Sequence, residues 1–166
     1  GARGRRALTY LAAIVWGASL LGVGALTRSG VLPFDHTRFA LVNAGFFVGT
    51  MIAMGLTREI TLANAASRRV AATTLLVFLA GVILWPVFDR VGLDMPSSTI
   101  VGSLVSALLW ASAVLSLGAP WVPMVVGQVL VAVCASLWPA WHFEIFGVLG
   151  ALQTAIAGTL MSRERE

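Results

Sequence analysis

Five stretches of the chain contain no Asp, Glu, Lys or Arg: Ala7 to Thr27, Phe39 to Thr57, Val70 to Phe88, Met95 to Phe143 and Ile145 to Ser162. A helix of about 20 apolar residues crosses the ~30 Å hydrocarbon core of a bilayer. Each stretch reaches that length, and the fourth is long enough to cross twice. Gly118, Ala119 and Pro120 divide it, because glycine and proline punctuate a helix even where polar residues are missing. A second turn falls at Trp138 and Pro139. The pattern predicts an all-α, polytopic membrane helical bundle, one integral membrane domain over 1–166. Its six transmembrane helices are expected at about 7–26, 38–56, 70–87, 99–117, 121–137 and 143–161. The short connections suggest three successive hairpins. The first apolar run is too long for the apolar region of a typical signal peptide and reads as a true span.

Arginine placement orients the bundle, since cytoplasmic loops are enriched in basic residues. With the N-terminus inside, Arg3, Arg5, Arg6, Arg58, Arg68, Arg69, Arg163 and Arg165 fall on the cytoplasmic side, and only Arg28, Arg38 and Arg90 outside. Eight against three places both termini in the cytoplasm and the protein in the plasma or inner membrane. Composition agrees: 58% of residues are hydrophobic and 11% charged, against about 25% charged in a soluble domain. The net charge of +4 follows the loops and forms no basic stripe with interleaved aromatics, so nucleic acid is not an expected partner. Lysine is absent, which excludes Schiff-base chemistry within the chain. The lone Cys134 cannot form an intrachain disulfide. The chain opens on Gly1 rather than methionine, and it is read as processed or as a piece of a longer protein.

Burial alone does not hold helices together in lipid; small residues that let backbones approach do. Span two carries Gly45 and Gly49 in a GxxxG, and span six sets Gly150 and Gly158 beside a ridge of Gly147, Ala151 and Ala155. These are the expected helix-packing positions, and the span-six ridge is the candidate surface for a homo-oligomer or other membrane subunits. The mid-span amides Asn43, Gln128 and Gln153 are candidates for a solute path. Trp85, Trp138 and Trp141 are expected at the outer membrane interface, and Trp121 at the inner one.

Asp35, His36, Arg38, Asp89, Arg90, Asp94, His142 and Glu144 form the densest set of ionisable residues, all expected on the outer face. They could solvate loop ends, form a solute mouth or meet a partner. His36 and His142 could also ligate a haem or metal, but no ligand spacing supports this, and no cofactor or metal is expected. No GxSxG, HExxH, Walker loop or intramembrane carboxylate pair is present, so no enzyme activity is expected.

Two resemblances can be drawn. Trp16-Gly17-Ala18-Ser19, Pro33 and Arg38-Phe39, with Leu117-Gly118 and Gly127, resemble half of an EamA-type drug/metabolite transporter, which implies a solute exporter. Ala119 stands where that family often has glutamate, and span six is left over. Val42-Asn43, Phe46 to Gly49, Gly92-Leu93-Asp94, Pro120-Trp121 and Trp138 to Trp141 resemble the six-span amide/urea channel family. That family implies an outside N-terminus, against the arginine count, and its intramembrane glutamate is missing. The two are incompatible and neither is adopted. The leading expectation is a non-catalytic membrane subunit that anchors, assembles with or senses for other proteins. A permease or channel for a small neutral solute is the alternative, and a haem- or metal-binding subunit the third.

Overall fold

A computed structural model describes the backbone of residues 2–163 and the side chains of residues 7–161. Arg165 lies outside the described residues, as do the side chains of Arg3, Arg5, Arg6 and Arg163. The regular elements of the described chain are all helical: α1 (Ala2–Arg28), α2 (His36–Leu56), α3 (Arg58–Thr61), α4 (Ala65–Arg90), α5 (Met95–Leu117), α6 (Val122–Leu137) and α7 (His142–Arg163). All but α3 belong to segments long and apolar enough to cross a membrane. The chain is therefore a multi-pass membrane protein.

Local chemistry sets the helix starts. Asp35, Asn64 and Asp94 each adopt extended backbone and accept a hydrogen bond from the N–H three residues on, at 2.7–2.8 Å. Each satisfies one of the N–H groups that a helix start leaves without a partner. The Ser97 hydroxyl and then its N–H hold the exposed Asp94 carboxyl below its ordinary pKa. The Asn64 cap moves the start of the third spanning helix back to Ala65, five residues before the expected boundary. Both expected turns are present as single 3-10 turns, Ala119–Trp121 and Pro139–Trp141. The first follows Gly118 at φ +90°, a conformation that L side chains rarely adopt.

Neighbouring helices run antiparallel, but the packing units are not three successive hairpins. α1 and α2 barely approach along their backbones. The most extensive interface joins α1 to α7, the first and last helices, followed by α5 with α6, α2 with α4, and α6 with α7. The order α2–α4–α5–α6–α7–α1 thus describes a ring, left ajar between α1 and α2. Tyr10 bonds Thr159 at 2.6 Å near one end of the α1–α7 pair, and Arg28 meets Glu144 at the other. The described chain ends therefore lie on one side of the bundle, called here the terminal side.

Small residues explain the α1–α7 contact. A Cβ on Gly17 would sit 2.9 Å from Ala151 Cβ, and one on Gly147 3.1 Å from the Gly17 carbonyl. Gly150 faces Trp16 and Gly158 faces Thr9 in the same way. The span-six ridge is thus occupied within the chain rather than presented to another subunit. Gly45 and Gly49, by contrast, meet nothing within 4 Å. They do not pack a helix pair here, because the ring is open beside them.

Candidate functional site

The ring encloses a cavity of about 900 Å³ lined from every spanning helix and from α3. That is near the upper end of the ~300–1,000 Å³ typical of small-molecule sites. Its wall is mainly aliphatic and aromatic, and no described Asp, Glu, Arg or His side chain lines it. A charged occupant would find no counter-ion there, and desolvating an unpaired charge is costly.

The cavity has a sealed end and an accessible one. At the sealed end, away from the chain termini, the lining residues Phe39, Asn43, Trp85, Phe88 and Thr99 are buried. Phe39 and Trp85 have ring centroids 4.4 Å apart, Trp85 and Phe88 5.9 Å, and Phe39 stacks on Phe143 at 5.4 Å. Trp85 is therefore part of an interior plug. Trp121 is also buried, stacked on Trp110 at 5.4 Å, whereas Trp138 and Trp141 are exposed. At the terminal side the lining residues Thr57, Thr61, Ser67, Leu117 and Met161 are only partly buried. The polar segment after α2 folds into α3 here, where the Thr61 hydroxyl bonds the Thr57 carbonyl at 3.1 Å.

All three amides read from the sequence line this one cavity. Asn43 donates Nδ2 to the Phe39 carbonyl at 2.9 Å, and its Oδ1 lies over Gly81, so it also seats α2 on α4. Gln128 and Gln153 are each 5% exposed, and each has a buried amide oxygen without a hydrogen-bond partner. Gly127 makes room for Gln153, whose Oε1 lies where a Cβ on residue 127 would fall. Leaving a buried polar group unpaired costs about 1–3 kcal/mol, and both oxygens are closed off by the protein packed around them. Trp16 braces the open side of the ring: it rests on Gly150 and meets Phe46 at 4.7 Å, Phe146 at 5.4 Å and Phe78 at 5.5 Å. No local signal in the sequence marks Gly81, Gly127, Phe46 or Phe78 as wall residues.

Much of the outer-face ionisable set lies within electrostatic reach: Asp94 interacts with His142 and His36, and His142 with Glu144. His36 Nε2 shares a hydrogen bond with Ser98 Oγ at 2.8 Å, and its Nδ1 lies 3.3 Å from Asp89, so this trio caps the aromatic plug. Glu144 lies against Gly24 and approaches Arg28 to 2.6 Å, an ion pair not aligned as a hydrogen bond. Arg28 also covers the ring of Trp141 at 3.5 Å, a cation–π contact. Asp35 and Asp94 are helix caps, Arg38 bonds the Pro33 carbonyl, and Arg90 is exposed. His142 shares a hydrogen bond with the Pro139 carbonyl at 2.8 Å. No three His, Cys, Asp or Glu side chains converge on a metal site among the described residues.

Comparison with protein-family models, with curated proteins and with solved structures finds no match for this chain.

Proposed function

We propose that this chain is a permease-type membrane protein that takes an uncharged solute into the cavity from the terminal side. The observation that carries this reading is that Gln128 and Gln153 both line a cavity whose described wall holds no ionisable group. A primary amide both donates and accepts hydrogen bonds, so the pair can hold an uncharged polar group while the aromatic wall holds the rest. The arginine asymmetry makes the terminal side cytoplasmic, so the cavity opens inward and the His36–Ser98–Asp89 cap faces outward. The reading is non-enzymatic. Assembly with other subunits, the leading expectation from sequence, is the second reading: α1 covers the small-residue ridge of α7, while Gly45 and Gly49 of α2 stay exposed.

Proteoliposome flux tests the proposal, with short alcohols and amides such as butyramide as probes. Saturable flux above protein-free vesicles is expected, reduced about tenfold or more when Gln128→Leu and Gln153→Leu are combined, as for two lost hydrogen bonds. Flux at vesicle background for every probe, or flux unchanged in the double variant, would contradict it.

A further inference from the structure

The cavity reaches the lipid-facing surface as well as the terminal side. Between α1 and α2 its wall includes residues that are themselves exposed: Leu11 and Val15 on α1, and Gly45, Gly49 and Ala53 on α2. The flanks of this slot are apolar, with Ile14 on one side and Val48 and Ile52 on the other exposed by more than half. In a bilayer these surfaces meet acyl chains, so the slot joins hydrocarbon directly to the chamber holding Gln128 and Gln153. The two glycines keep it open, because neither faces any group of its own chain.

We propose that the occupant is a membrane-partitioned amphiphile, an apolar body with one uncharged hydrogen-bonding head group such as an alcohol or amide, admitted sideways between α1 and α2. This rests on the permease reading and adds the substrate class and its route. The head group bonds the Gln128 and Gln153 amides, and the body lies along Trp16, Phe46 and Phe78 with its end in the slot. A transmembrane helix of another protein is a poorer occupant. Such a helix would bring no group to the buried amides.

The test uses the full chain in phosphatidylcholine vesicles with a long-chain primary alcohol carrying a mid-chain diazirine. Photolabelled residues are mapped by mass spectrometry, and butyramide flux is measured in parallel. Labelling is expected at the slot, around Val15 and Phe46, and to be displaced by excess unlabelled dodecanol. Gln153→Leu should reduce it about three- to tenfold, the worth of one hydrogen bond. Gly49→Leu, which places a side chain in open space, should reduce it similarly. Labelling spread evenly over lipid-facing positions, undisplaced by dodecanol or indifferent to Gly49→Leu, would overturn the lateral route. So would crosslinked dimers joined through the slot. Persisting butyramide flux would then leave the permease reading standing, and its absence would remove both.

Discussion

Replacing Gly17 or Gly147 with leucine is expected to force α1 away from α7 and to destabilise the fold. The two backbones approach so closely that even a methyl group meets rigid neighbours: Ala151 Cβ at 2.9 Å from Gly17, and Leu20 Cβ at 3.0 Å from Gly147. Neither obstacle is the flexible end of a long side chain, so relief requires backbone movement. Overpacking of this kind costs about 1–3 kcal/mol and sometimes more, and it falls on the largest interface of the ring. Gly45→Ala and Gly49→Ala are the informative contrast. They meet open space, and alanine is the better helix former, so they are expected to be neutral or slightly stabilising. Thermal unfolding in detergent micelles, followed by near-UV circular dichroism, separates the pairs. Equal losses at Gly49 and Gly147 would show that the packing described here is wrong.

Trp85→Ala is expected to convert a cavity with one open end into a leak. Trp85 is 4% exposed and touches Phe39, Phe88 and His36, the plug and its polar cap. Removing a buried aromatic ring costs about 3–5 kcal/mol, part of it for the void left behind. Here the void would join the chamber to the outer surface beside His36. Vesicles carrying the variant should pass butyramide at a rate linear in concentration, where the parent protein saturates. Trp85→Phe, which keeps a ring in place, should lose less stability and retain saturation. Saturable, unaltered flux in Trp85→Ala would remove the plug from the account.

The spans were legible because charge is intolerable in hydrocarbon, and its absence marks each of them without reference to packing. The turns at Gly118 and Pro139 were legible for the equally local reason that a helix cannot continue through them. The ring was not. In water, a helix declares its inner face by a polar outer one; in lipid both faces are apolar, and the sequence of α2 or α7 does not say which one meets protein. That is why Gly49 and Gly158 look alike as letters, yet one lies beside an open slot and the other against Thr9. The assumption that consecutive spans pair as hairpins failed for α1 and α2 because the last helix covers α1 instead. Asn43, Gln128 and Gln153 stood out one by one as costly polar groups in apolar runs. Their meeting in one cavity depends on helix rotations that no local signal encodes.

The claim on which the rest depends is that the amide-lined chamber is reached from the side holding the chain ends and sealed from the other. Cysteine labelling tests it directly in a Cys134→Ala background, with a small membrane-impermeant methanethiosulfonate applied to vesicles of known orientation. Thr61→Cys marks the terminal side and Asp89→Cys the opposite side. Gln153→Cys is predicted to react only from the side that labels Thr61→Cys, and more slowly. Labelling of Gln153→Cys from the Asp89 side, or protection from both sides, would contradict the account.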